Sequence, residues 1–184
     1  MTAEAGFAFS FYAIGGAAAD VDADGDTDVF LAGVGGYRFL RNERGTFVDA
    51  TAESGLDAGT WTGADGVERG PFATSAAFFD YDRDGRPDLF VAHYVHWSVE
   101  TDVWSTMDGR TKSYAVPDQY DGESCRLWRN LGDGRFEDVT DAAKVRNDEG
   151  KSLGVCVLDY DDDGDMDVCI ANDTQPDYLY RNEG

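Results

Sequence analysis

Apolar residues in this chain come in short runs separated by polar, glycine-containing stretches. Val29-Phe-Leu-Ala, Leu89-Phe-Val-Ala and Val168-Cys-Ile-Ala are three such runs, and Ala76-Ala-Phe-Phe is another. Short runs rich in β-branched and aromatic residues and bounded by turn residues predict strands rather than helices. A second set follows the first at a distance: Phe39-Leu-Arg-Asn42, Leu127-Trp-Arg-Asn130 and Leu179-Tyr-Arg-Asn182. A third set, Gly45-Thr-Phe-Val-Asp-Ala-Thr51 and Gly134-Arg-Phe-Glu-Asp-Val-Thr140, follows the first two of these. The pattern is therefore an internal repeat of strand-sized pieces.

Each first-set run is preceded by an acidic stretch. The three copies are Asp20-Val-Asp22-Ala-Asp24-Gly-Asp26-Thr-Asp28, Asp80-Tyr-Asp82-Arg-Asp84-Gly-Arg86-Pro-Asp88 and Asp159-Tyr-Asp161-Asp-Asp163-Gly-Asp165-Met-Asp167. All read D-x-D-x-D-G-x-x-D. Carboxylates at positions 1, 3, 5 and 9 around a glycine turn suit a hard cation that takes six to eight oxygens at roughly 2.3–2.6 Å, which is calcium. The backbone carbonyl of position 7 (Asp26, Arg86 or Asp165) would complete each shell, giving up to three calcium ions. Arg83 and Arg86 bring positive charge beside the second loop and make it the weakest of the three candidates. An EF-hand shares the first half of this pattern but needs a bidentate Glu at position 12 and flanking helices. Position 12 here is Leu31, Val91 and Ile170, and the flanks read as strands, so each loop is expected to tip a β-hairpin.

Counting the strand that enters each loop, one unit holds four short strands, the make-up of a propeller blade. The expected fold class is all-β, with about three propeller blades forming part of a larger propeller. Residues 1–13 read as the end of a preceding blade, because Met1-Thr-Ala-Glu-Ala-Gly6 aligns with Ala50-Thr-Ala-Glu-Ser-Gly55. Residues 14–56 form a blade, 73–145 a blade with an insertion at 93–124, and 152–184 a blade lacking its last strand. The remaining blades would come from the same or another chain. Asp57 to Pro71 is a Gly-rich connector, and insertions in repeat proteins often carry binding.

The net charge is −22, from 37 acidic and 15 basic residues, and fifteen of the acids lie in the three loops. Without metal each loop repels itself, so folding is expected to be linked to calcium by mass action. So acidic a surface argues against nucleic acid as a partner. No stretch approaches the length of a transmembrane helix. Three cysteines are too few for a disulfide scaffold. Cys156 and Cys169 flank the third loop on adjacent strands, where a cross-strand bridge is conceivable, and an odd count leaves at least one thiol unpaired in a monomer.

The D-x-D-x-D-G-x-x-D loops, together with L-[YW]-R-N and G-x-F-x-D-[VA]-T, resemble the FG-GAP/VCBS repeat family, whose calcium-loop blades also occur in integrin α-chain propellers. Ala171-Asn-Asp-Thr-Gln-Pro176 running into Leu179-Tyr-Arg-Asn182 is similar to the interior repeats of the bacterial cartilage acidic protein-like group (ASPIC/UnbV). The resemblance implies a calcium-stabilised propeller, secreted or on the cell surface (the periplasm included), that serves adhesion and recognition of a protein or carbohydrate ligand. It also implies that the Asp side chains at positions 1, 3, 5 and 9 are the metal ligands. The insertion from His93 departs from that family's pattern.

The remaining candidates have plainer readings. His93 and His96, the two histidines, are three apart on a continuing strand and so point to opposite faces, which disfavours a shared metal. Tyr94, Trp97, Trp104, Tyr114 and Tyr120 of the insertion either line a ligand groove or form a satellite core that orders a long loop. The recurring Arg-Asn pairs read as structural, with Arg bonding a neighbouring loop or carboxylate. No catalytic set stands out, and calcium loops account for the paired carboxylates better than acid–base catalysis does. The leading expectation is a binding scaffold with structural calcium. The alternatives are part of a propeller lyase or hydrolase completed by residues elsewhere, or a subunit of an oligomeric ring.

Overall fold

The computed structural model describes residues 2–184. Three antiparallel meanders build it. The first runs β1 (Ala13–Ala19), β2 (Asp28–Gly33), β3 (Gly36–Glu43) and β4 (Thr46–Asp49), in that spatial order, followed by a single helical turn α1 (Thr51–Ser54). A small hairpin, β5 (Trp61–Thr62) with β6 (Glu68–Arg69), occupies the connector where the sequence carries no strand-length run. The second meander is β7 (Ala73–Phe79), β8 (Asp88–His93), β9 (Arg126–Gly132) and β10 (Arg135–Asp138). The third is β11 (Ser152–Leu158), β12 (Asp167–Asn172) and β13 (Tyr178–Tyr180). This is an all-β fold of propeller blades.

Each acidic stretch joins the first and second strands of its sheet, as a hairpin tip should. The three hairpins also share one irregularity: register slips by one residue at Ala13/Gly15, Ala73/Ser75 and Ser152/Gly154. A bulge repeated at the same place sharpens the local twist in the same way in all three sheets. β7 packs against β1 on one side and β11 on the other, so the sheets converge on their first strands.

The core consists of two inter-blade layers. Phe30, Tyr37 and Phe39 of the first sheet meet Leu89, Val91, Trp128 and Phe136 of the second. Phe90, Ala92 and Leu127 on the second sheet's other face meet Val168 and Ile170 of the third. Strand alternation explains the division, since neighbours along β8 point to opposite faces. With both faces covered, all six residues of β8 are buried, which is why its central Leu89-Phe-Val-Ala92 is a continuous apolar run rather than an alternating one. Each fully buried Phe or Leu here is worth roughly 1.5–3 kcal/mol of apolar burial.

The joints between units are also shared. Gly55 follows α1 with φ 77°, and a Cβ there would stand 2.9 Å from the Phe136 carbonyl oxygen. Gly6, with φ 86°, lies closer still to Phe47, where a Cβ would stand 2.1 Å from the carbonyl oxygen. Phe47 and Phe136 hold the same place in β4 and β10. Both glycines let a chain segment lie directly on a fourth strand, so the stretch ending at Gly6 sits on the first sheet as the stretch ending at Gly55 sits on the second. Among the described residues no helix is long and apolar enough to cross a membrane.

Candidate metal centres and the groove at the opposite end

The three acidic loops fold alike because their sequences make the same internal hydrogen bonds. Position 1 accepts from the N–H groups of positions 5 and 6: Asp20 from Asp24 (3.2 Å) and Gly25 (3.0 Å), Asp80 from Asp84 (3.1 Å) and Gly85 (2.9 Å), Asp159 from Asp163 (3.2 Å) and Gly164 (2.9 Å). Position 5 turns back to accept the N–H of position 7 at 2.8–2.9 Å in each loop. Position 6 has φ of 86–96°, open to glycine without strain. Position 4 is also left-handed, at Ala23, Arg83 and Asp162.

Position 9 is the most buried member. Asp28, Asp88 and Asp167 are each fully inaccessible. One oxygen of each accepts the N–H of position 2 (Val21 3.1 Å, Tyr81 2.9 Å, Tyr160 2.9 Å). The other accepts the N–H of the third-strand asparagine (Asn42 2.8 Å, Asn130 2.7 Å, Asn182 2.8 Å). The carboxylate therefore pins its loop to the sheet as well as facing its neighbours.

In every loop, oxygens of positions 1, 3 and 9 come together. Asp20, Asp22 and Asp28 form one group, Asp80, Asp82 and Asp88 another, and Asp159, Asp161 and Asp167 the third, each with one ligand atom apiece within 4.8 Å of the others. Two oxygens on opposite sides of a calcium ion at about 2.4 Å would be about that far apart, so the spacing fits one hard cation per loop. Oxygen-only donors fit the same choice, and a carboxylate holding one N–H retains lone pairs for a metal. Burial raises Asp22 and Asp28 above the usual carboxylate range and pushes Asp88 up to about 6, with like-charged neighbours adding to it. A bound cation would relieve that cost. Asp24, Asp84 and Asp163 at position 5 lie outside these groups, and so do the side chains of Asp26, Arg86 and Asp165 at position 7.

Cations intrude unevenly. In the second loop the Arg86 guanidinium pairs with Asp84 and donates to the Asn130 carbonyl (3.1 Å). Arg83 leaves its own loop, and its Nε stands 2.5 Å from Asp165 of the third. The third loop also holds Arg181, 2.9 Å from Asp161. Arg41, the corresponding residue of the first unit, is held instead by Glu43 at 2.7 Å. Sequence proximity pointed to Arg83 as a burden on the second loop, whereas the fold delivers its charge to the third.

The asparagine of each Arg-Asn pair has a role that the sequence reading missed. Asn130 Nδ2 donates to the position-8 carbonyl of its own loop (Pro87, 3.0 Å) and to the position-2 carbonyl of the preceding loop (Val21, 2.9 Å). Asn182 repeats this with Met166 (3.5 Å) and Tyr81 (2.7 Å). Asn42 donates to Thr27 at position 8 of the first loop (3.0 Å). The recurrence of Asn at one distance from each loop was the available signal. Arg41 and Arg129 do bond neighbouring carboxylates, Arg129 with Glu137 at 2.6 Å.

β8 runs from Asp88 to His93, so the insertion leaves the second sheet at the end opposite the loops. There a groove of about 650 Å³ is lined by Tyr94, Trp97, Tyr114 and Tyr120 of the insertion, with Tyr12 and Phe72 from elsewhere. Its wall is fixed by Asp102, which accepts from Tyr120 Oη (2.8 Å), Trp97 Nε1 (3.1 Å) and Lys112 Nζ (2.5 Å). The Lys112 ammonium holds the Asp102 carboxyl down to about 2. Tyr94 Oη donates to Asp173 in the connection between β12 and β13 (2.6 Å), tying the insertion to the third unit. Tyr114 is 99% exposed and Trp104, which lies off the groove, 65%, so neither belongs to a satellite core.

The histidines are separated, but not by strand alternation: β8 ends at His93, and His96 lies beyond it. His93 is fully buried between Tyr37 Oη (2.6 Å) and the Ser124 carbonyl (2.7 Å), and burial pushes it down to about 3. His96 stacks parallel on Trp61 of the β5–β6 hairpin, 5.0 Å between centroids.

The profile of the FG-GAP-like repeat matches residues 20–91 and 102–170, which together contain all three acidic loops. No curated protein matches the chain.

Proposed function

The chain belongs to the FG-GAP-like repeat family, and from that premise we propose that it is a calcium-loaded propeller scaffold that recognises a protein or carbohydrate ligand outside the cell. The carrying observation is the convergence of positions 1, 3 and 9 in all three loops. Asp20, Asp22 and Asp28, with Asp24 and the Asp26 carbonyl, would hold one ion. Asp80, Asp82, Asp84, Asp88 and the Arg86 carbonyl would hold the second, and Asp159, Asp161, Asp163, Asp167 and the Asp165 carbonyl the third. Calcium here neutralises carboxylates that are already fastened to the sheet, so its work is structural. Exposed sites partly countered by arginine suit the weak affinities of extracellular modules, about 10⁻⁴–10⁻³ M.

Recognition belongs to the end opposite the loops, where an aromatic groove is built by an insertion unique to one blade. Three sheets are fewer than the four to eight of a closed ring, so further blades complete the propeller. The stretch from Ala171 to Pro176 before Leu179-Tyr-Arg-Asn182 supports kinship with the bacterial cartilage acidic protein-like group. The test is thermal unfolding of one preparation in calcium and in chelator. A melting temperature that rises with calcium and saturates supports the reading, and one indifferent to both overturns it.

A further inference from the structure

We propose that the aromatic groove takes a basic, proline-rich segment of a partner polypeptide, held as an extended polyproline helix. The proposal rests on the reading of this groove as the recognition site and names the chemistry of its partner. The groove stays open when the propeller is complete. Val34 of the first unit bridges Phe72 at the start of the second, and the Tyr94 N–H reaches the Phe72 carbonyl at 2.9 Å. The floor thus spans the ends of two sheets, whereas further blades stack on the outer faces of the first and third.

What the groove shows a ligand is ring faces. Phe72 stands edge-on to Tyr94 (5.5 Å between centroids, 88°) and tilted to Trp97 (5.8 Å, 53°). The polar ends of the rings are already engaged. Trp97 Nε1 and Tyr120 Oη donate to Asp102, and Tyr94 Oη donates to Asp173. Asp102, in the groove wall, also holds Lys112 Nζ. A sugar stacked here would bring hydroxyls that need partners to a wall whose polar atoms are in use. Proline asks for less. Its ring is apolar, it has no N–H, and a polyproline helix keeps its carbonyls in water. Aromatic-lined grooves recognise such segments for that reason.

The rim selects a cationic partner. Pro117 and Tyr120, which line the groove, are followed by the exposed Asp118 and Asp121, and Asp173 lies beside Tyr94. Lys112 and Lys151 are already matched, the first to Asp102 at 2.5 Å and the second, itself buried, to Asp118 at 3.6 Å. Asp102, Asp118, Asp121 and Asp173 therefore outnumber the two ammonium groups, on a chain of net charge −22. Arginine or lysine beside the prolines complements that excess, and its cation can lie on a ring face.

The test is fluorescence anisotropy, in calcium, with a labelled short peptide of prolines flanked by arginines. Two matched peptides carry glycine for each proline or glutamate for each arginine, and a neutral labelled oligosaccharide is the fourth probe. The proline–arginine peptide should bind, and either replacement should weaken it about tenfold or more. Tyr114→Ala should weaken it about tenfold, with the melting temperature unchanged. Asp118→Asn should weaken it less and flatten its salt dependence. Absence of peptide binding, equal binding of the glycine or glutamate peptide, or an affinity that Tyr114→Ala leaves unchanged would each overturn the proposal. Oligosaccharide binding that Tyr114→Ala abolishes, with no peptide bound, would also overturn it while keeping the groove as the recognition site. The calcium dependence of melting, measured on the same preparation, reads the scaffold separately.

Discussion

The two ends of these sheets are built on different rules. At the loop end the same aspartates, glycine and asparagine recur in each unit and make the same hydrogen bonds, within a unit and to the unit before. At the groove end the bulge that opens each first strand recurs, but the connections do not: the second and third strands are joined by Val34 and Gly35 in the first sheet, by residues 94–125 in the second and by 173–177 in the third. Repetition at one end marks work that every blade must do, which is to hold its sheet and its neighbour. Variation at the other marks work that belongs to one blade. Substitutions at the loop end should therefore cost stability, and substitutions at the groove should cost binding.

The largest effect is expected at Asp88. Asp88→Ala leaves the buried N–H groups of Tyr81 and Asn130 without their acceptor, at about 1–3 kcal/mol each. Urea unfolding in chelator should show a loss of about 3–5 kcal/mol, against less than about 1 kcal/mol for the exposed Asp82→Ala. Equal losses would mean that position 9 is only a metal ligand. Asn130→Ala comes next, removing the bonds to Val21 and Pro87. It should cost about 2–3 kcal/mol by the same reasoning, while Arg129→Ala, an exposed ion pair, should cost about 0–1 kcal/mol.

How much of this was legible in the sequence follows the same division. Strands and loops were readable because the repeat states each of them more than once. The cluster of positions 1, 3 and 9 was contained in the calcium-loop pattern, although the double fastening of position 9 to backbone amides was not. Asn130 bonding to Val21 could not be read, since the two are 109 residues apart and meet only when sheets stack. Arg83 misled because ion pairs form between neighbours in space, whereas Arg181 beside Asp161 is the kind of contact expected of the Arg-Asn pairs. At the groove end the insertion was found, but Tyr12 and Phe72 come from other units, and β5 and β6 are two residues each, too short for any period to register.

Glu123 sharpens the comparison from the groove side. It lies at the root of the insertion, 3.8 Å from His93, and accepts the Phe72 N–H at 3.3 Å. Burial pushes its carboxyl up from 4.5 to about 7. A raised folded pKa gives stability that is complete below about pH 4.5 and is lost as pH rises through about 7. Glu123→Gln, neutral throughout, should match the wild type at pH 4 and exceed it by about 1–3 kcal/mol at pH 8 in chemical unfolding. A variant less stable than the wild type at pH 8 would show that the charged form is the one the fold uses. The smallest effect on stability is expected at Tyr114, which is almost fully exposed. Tyr114→Ala should shift unfolding by less than about 0.5 kcal/mol yet weaken retention on immobilised glycans or extracellular proteins that hold the wild type. Unchanged retention would move the recognition surface away from the groove.

The central claim is that the repeated end is a set of calcium sites. Calorimetric titration of chelator-stripped protein with calcium, repeated on Asp20→Ala, tests it most directly. The account predicts three ions for the wild type and two for the variant, with the first loop, the one least countered by arginine, giving the tightest phase. Absence of binding heat, or a stoichiometry that Asp20→Ala leaves unchanged, would contradict it.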